Sequence, residues 1–277
     1  NDEIEEADFV TRTVGGEVAE NPDATVAVLY RTNAQSRVLE DALMRERLSY
    51  KIIGGVRFYE RKEIKDTLAY LKLAINPHND VSFRRVVNVP ARGIGRAVMD
   101  GLDAGSAPST SLWSKMTLAL EKKSLPARAM ASLVAFHVLI TALSEAARRE
   151  SVSAAIGKAL DESGYLQDLR EERSEEAEGR IENLMELVSA AREYETRGPE
   201  PSLGGFVDRL SLLSEADDEK GATDARIWLM TLHAAKGLEF PLVVITGLEE
   251  GLFPHSRASE EDEDLEVMEA KIILPAV

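Results

Sequence analysis

Cysteine is absent from this chain, which excludes disulfides and thiolate metal sites. Histidine is scarce. His78, His137, His233 and His255 stand far apart with no ligand spacing, so no metal site is expected. No apolar run approaches membrane-spanning length and no signal-peptide pattern opens the chain, so a soluble cytoplasmic protein is expected. Positive charge is also in deficit. A net charge of −16, taken as an average, argues against nucleic-acid binding, because phosphate contacts need Lys and Arg. What is present is ample apolar material: 277 residues, 44% hydrophobic, enough for one large domain or two ordinary ones.

The charge is uneven. From Tyr30 to Lys72 ten Lys/Arg stand against six Asp/Glu, a local +4. From Ser82 to Met99, Arg84, Arg85, Arg92 and Arg96 occur with no acid. The acids gather in residues 171–186, 215–219 and 260–269. A polyanion is therefore admitted at particular faces.

Taken in order, residues 1–20 carry a short helical pattern (Ile4, Ala7, Phe9, Val10) that is expected to end near Gly15-Gly16. Residues 25–30 read as a buried strand, 34–47 as a helix, 50–53 as a second strand closed by Gly54-Gly55, and 60–75 as a second helix stopped by Asn76-Pro77. Strand–helix–strand–helix at this spacing is an α/β pattern. Between Val81 and Ala225 no strand is convincing. Helical patterns cover 81–87, 94–102, 127–149, 151–163, 177–194 and 203–214. Strand patterns resume at Ile227–Met230 and Leu242–Ile245. A helical block framed by two pieces of one sheet reads as an inserted domain, with boundaries placed at 1–86, 87–224 and 225–277. The acidic end, 259–269, reads as a solvated helix or a disordered tail.

Between the last two strands runs Thr231-Leu232-His233-Ala234-Ala235-Lys236-Gly237-Leu238-Glu239-Phe240-Pro241. Strands buried on both faces belong to parallel α/β sheets, and ligands sit at the carboxyl ends of such strands. This loop resembles the late helicase motif of the UvrD/Rep/PcrA family of superfamily 1A DNA helicases. Three further stretches are similar to that family. Leu29-Tyr30-Arg31-Thr32-Asn33-Ala34-Gln35-Ser36-Arg37 is a strand end followed by a helix start, with Thr32 or Asn33 able to cap it. Gly54 to Asp66 joins a glycine turn to Phe58, Tyr59 and a basic helix start. These aromatics suit stacked bases or simply anchor a loop, and they are not taken as sites. Asn88-Val89-Pro90-Ala91-Arg92-Gly93-Ile94-Gly95-Arg96 puts two glycines and two arginines at a helix start, where backbone N–H groups can meet a phosphate.

The resemblance implies an incomplete RecA-like parallel sheet domain of the P-loop NTPase type with a large, mainly α-helical inserted domain. It implies Tyr30 stacking on adenine, Arg31 on the γ-phosphate, Glu239 on the ribose and Gly237 in the ATP-binding loop. It further implies that Thr231 and His233 sense single-stranded DNA, and that Arg92, Gly93, Ile94, Gly95 and Arg96 grip duplex backbone. The cofactor is ATP with magnesium, and the partners are single-stranded and duplex DNA and the N-terminal RecA-like domain of the same helicase. Gly251 to His255 reads as a structural turn.

A helicase motor needs a G-x-x-x-x-G-K-[ST] phosphate loop and acidic magnesium ligands. No such loop occurs in the 277 residues. The family's last arginine motif, due after the acidic stretch, is not matched by Leu265 to Val277. The expectation is a portion of a 3′–5′ DNA helicase, a piece of a longer protein, unable to hydrolyse ATP alone. Two alternatives are an AddA/RecB-type helicase–nuclease and a non-catalytic accessory protein that binds DNA or a partner.

Overall fold

The computed structural model describes residues 2–104, 109–197, 200–216 and 224–248. The Gly251–His255 turn, the acidic stretch 259–269 and the loop glycine and prolines at 108, 198 and 199 lie outside the described residues. The chain packs as two compact units, residues 1–57 with 220–277, and residues 58–219.

The first unit is built on a parallel sheet of β1 (Val26–Tyr30), β2 (Tyr50–Ile53), β3 (Ile227–Thr231) and β4 (Leu242–Ile245), in the order β2-β3-β1-β4. β1 and β3 are interior, which accounts for their unbroken apolar sequences. Alternation sorts β1 between two faces. Val26, Val28 and Tyr30 join a core with α1 (Asp2–Glu20) and α2 (Ser36–Arg45), whereas Ala27 and Leu29 face Met230 on the other side.

α1 does not stop at Gly15-Gly16. It runs on to Glu20 because Ala7, Val10, Val14 and Val18 continue one buried stripe. A helical glycine costs about 1 kcal/mol, and Gly15 lies so close to Leu48 that a Cβ there would sit 3.0 Å from its methyl.

The second unit is helical: α3 (Lys62–Ile75), α4 (Asp80–Val86), α5 (Arg96–Ala104), α6 (Leu112–Lys122), α7 (Ala127–Arg149), α8 (Val152–Glu162), α9 (Tyr165–Glu172), α10 (Glu175–Arg197) and α11 (Leu203–Ala216). The sequence patterns predict neither α6 nor α9. The expected boundary at residue 86 differs from the packing, which joins α3 and α4 to this unit. α3 is its hub and touches α4, α7, α8, α10 and α11. Its buried Thr67, Ala69, Tyr70, Leu71, Leu73 and Ala74 cover most of its circumference, as a central helix requires. α7 is, by length and composition, long and apolar enough to cross a membrane, contrary to the sequence reading. Here it is a core helix: Leu133, Phe136, Ile140 and Leu143 are buried, and Phe136 meets Phe83 edge-to-face at 5.3 Å.

Candidate functional site

Tyr30 and Thr231 are register partners at the carboxyl ends of β1 and β3, and Leu232 N–H donates to the Tyr30 carbonyl at 3.0 Å. Neighbouring strands lie about 4.8 Å apart, so Arg31 and the Thr231–Glu239 loop leave the sheet side by side. On the other flank of β1, the Thr246 N–H donates to Leu29 O at 2.9 Å. The strand ends thus converge on one edge.

Arg31 is half-buried. Its backbone N–H is held by Gln35 Oε1 at 2.9 Å, while its guanidinium has no hydrogen bond or ion pair among the described residues. Arg37, six residues on, is the opposite case: it is fully buried and paired with Asp41 at 3.1 Å. An always-charged planar fork left without an acceptor at a strand edge suits an arriving phosphate.

The loop after β3 is a series of turns. Thr231 Oγ1 accepts from Ala234 N–H at 3.3 Å, and further bonds run from Ala235 N to Thr231 O, Lys236 N to His233 O and Leu238 N to Ala235 O. Gly237 has φ +85, which an L side chain resists. His233, Lys236 and Glu239 are exposed, and their side chains carry no partner among the described residues. Thr231 is therefore engaged as a turn cap, while His233 and Glu239 remain open to a ligand.

Tyr30 departs from expectation. Its ring is only 1% exposed and lies in the core with Val28, Leu39 and Leu43. The alternation that puts Val26 and Val28 on this face puts Tyr30 there too, packed within the core of α1 and α2. Among the described residues no group of three or more acidic or histidine side chains could hold a metal.

The Asn88–Arg96 stretch lies wholly in the helical unit, and there the expectations divide. Arg92 is consumed internally. Its guanidinium donates to Ser163 O at 2.7 Å, Tyr70 Oη at 2.8 Å, Pro90 O at 3.1 Å and Val86 O at 3.2 Å. It is a structural pin, with four of its five N–H donors engaged inside the unit. Ile94 is buried and anchors the loop. Gly93 (φ +73) and Gly95 face open space, and the Arg96 side chain is 95% exposed with only Asp100 nearby, at 3.7 Å. α5 begins at Arg96; Val98 and Met99 N–H donate to Gly95 O at 3.1 and 3.2 Å, which leaves the Arg96 and Ala97 N–H groups outside the helical ladder. Asn88, to which the sequence assigns no role, shapes this loop: its Oδ1 accepts from Arg92 N–H at 2.8 Å and Ile94 N–H at 3.1 Å.

The Phe58–Asp66 stretch is structural. Phe58 and Tyr59 are buried edge-to-face at 5.2 Å. Arg61 Nη1 donates to Asn183 Oδ1 at 2.7 Å, and Asn183 Nδ2 donates to Glu63 Oε1 at 2.6 Å. Asp66 pairs with Arg85 at 2.8 Å and accepts from Tyr165 Oη at 2.9 Å. These charges are spent on tying α3 to its neighbours.

A parallel α/β sheet interrupted by a helical block, with a polar loop at its carboxyl edge, is the architecture of a RecA-like domain. The chain belongs to the UvrD-like helicase C-terminal domain family, whose profile matches residues 1–271. It is 41% identical over 247 residues to the ATP-dependent DNA helicase PcrA of Bacillus subtilis, covering 87% of this chain and 33% of that protein. It is 40% identical over 276 residues to DNA helicase II of Escherichia coli, covering 95% of this chain and 37% of that protein. The chain thus spans about a third of the length of these relatives.

Proposed function

We propose that this chain is the C-terminal portion of an ATP-dependent 3′–5′ DNA helicase, acting in the cytoplasm on single-stranded and duplex DNA. It supplies half of the nucleotide site, and the N-terminal RecA-like domain of the same protein supplies the phosphate loop and magnesium ligands. The observation that carries this reading is the Arg31 guanidinium, without a partner among the described residues, at the sheet edge beside the exposed Glu239. In the ATP-bound enzyme Arg31 stabilises charge developing on the γ-phosphate as the terminal bond breaks. Glu239 accepts from the ribose hydroxyls. Gly237 supplies the left-handed turn that keeps the loop open. Thr231 fixes the loop by capping its first turn, and the exposed His233 meets the single strand. Arg96 and the free N–H groups at the start of α5 take duplex backbone, with Gly93 and Gly95 allowing close approach. With its ring in the core, Tyr30 contributes by holding β1 in register.

The test is Arg31→Ala in the intact parent protein. Turnover should fall by about 10³-fold, with a far smaller change in KM for ATP. Near-normal turnover would return Arg31 to a solvated strand-end residue.

A further inference from the structure

We propose that Gln35 is the positioning residue for Arg31, and that Gly247 is the seat that holds Gln35. The proposal rests on the reading of Arg31 as the γ-phosphate cation, and deepens it. β1's ladder ends at Tyr30, so the next two backbone donors need another acceptor. Gln35, at the end of a 3-10 turn (Asn33–Gln35), provides it with a single oxygen. Its Oε1 accepts from Arg31 N–H at 2.9 Å and from Thr32 N–H at 3.0 Å. One amide therefore caps the first two residues past the strand, beside the bond from Gln35 N–H to Thr32 O at 3.2 Å.

That amide is itself held from behind. Gly247, two residues past β4, has φ +70, and a Cβ built there would run into Gln35 Nε2. Gly247 N–H is tied to α1 by Glu6 Oε1 at 3.0 Å, and the preceding Thr246 is tied to β1 through Leu29 O. The β4 exit is thus fixed on both sides and forms a floor under Gln35. A side chain at position 247 would press on the Gln35 amide, the group that caps Arg31 N–H. A glutamine also does this without charge. It caps two donors and leaves the guanidinium's charge for the ligand, where a carboxylate would place an anion in the same turn.

Two measurements test this. Amide exchange of Arg31 and Thr32 can be read in this chain without any activity. Gln35→Met should speed it by about tenfold, the loss of roughly 1.4 kcal/mol of hydrogen bonding, while Gln35→Glu, which keeps the acceptor oxygen, should leave it protected. In the intact parent protein, Gln35→Met and Gly247→Ala should each lower kcat by about 10²-fold, the effect of a misplaced catalytic group, with KM for ATP little moved. Arg31→Ala runs alongside. If Arg31→Ala loses turnover while Gln35→Met keeps both turnover and slow exchange, the proposal is overturned and the γ-phosphate reading stands. If Arg31→Ala turns over normally, both fall. Should Gln35→Met fail to fold, Gly247→Ala and Gln35→Glu decide by the same two readouts: normal kcat and slow exchange in Gly247→Ala, or fast exchange in Gln35→Glu, overturns the assignment.

Discussion

Arg92 of the helical unit donates to the carbonyl of Ser163, 71 residues away, at 2.7 Å. With its three other acceptors, this makes Arg92 the clamp between the loop after α4 and the end of α8. Arg96, four residues on, pairs among the described residues only with Asp100 and is solvated. Two arginines that look equivalent in the sequence therefore do different things.

Arg92→Ala should destabilise the chain by about 3 kcal/mol, since hydrogen bonds to a charged donor are worth ~1.5–3 kcal/mol each and the stranded carbonyls are partly buried. Arg96→Ala should stay within about 0.5 kcal/mol of the parent, as exposed substitutions do. Urea unfolding of the two variants compares them directly. Equal midpoints would contradict the clamp.

The isolated 277-residue chain should show no DNA-stimulated ATPase, because no phosphate loop occurs in its sequence. Phosphate release from purified protein above background, and lost in Arg31→Ala, would overturn this and would mean that the chain completes its own site.

The strands were nearly all legible. Residues 50–53 and 242–245 match β2 and β4 at both ends, because short apolar β-branched runs closed by glycine or opened by proline leave little latitude. α6 and α9 were not legible. α9 follows Gly164, whose φ is +79, and of its eight residues Tyr165, Leu166 and Leu169 are buried, a single turn of apolar pattern. At the site, the motif located Arg31 and the Thr231–Glu239 loop, because both follow strands directly. It did not reveal that Tyr30 is buried, although the alternation of Val26 and Val28 carried that information. The role of Arg92 was out of reach, since two of its four acceptors come from residues 70 and 163. Sequence spacing reports local geometry, and that contact is not local.

Tyr70 gives the helical unit an alkaline limit. Burial pushes its hydroxyl up to about 12, against the opposing influence of Arg92 beside it. A folded-state pKa above the unfolded 10 means stability that is complete below pH 10 and lost as pH rises from 10 through 12. Two units correspond to about 2.7 kcal/mol. Tyr165 is raised in the same direction, by burial and by Asp66. Tyr70→Phe should therefore start less stable, having lost the Arg92 bond, yet fall less steeply between pH 10 and 12 than the parent. Unfolding midpoints at pH 8, 10 and 11.5 measure this. Parallel lines would show that Tyr70 does not carry the transition.

The duplex-binding reading of the α5 start can be separated into charge and space. Arg96 contributes charge, so Arg96→Ala should flatten the salt dependence of duplex affinity by about one unit of log K per log salt, the share of one phosphate contact. Gly95 contributes space: a Cβ there meets nothing within 4 Å of this protein, so Gly95→Val should fold normally. It would nonetheless fill the position a phosphate must occupy to reach the free N–H groups of α5. Gly95→Val should therefore weaken duplex binding at every salt concentration with little change of slope, because no cation is removed. Single-strand affinity, assigned to the loop around His233, should be unchanged in both variants. The measurement is binding of duplex and single-stranded DNA to the parent and each variant across a salt series. If both variants lose affinity for the two DNA forms equally, or neither loses affinity for duplex, the α5 start is an exposed turn and the duplex is held elsewhere.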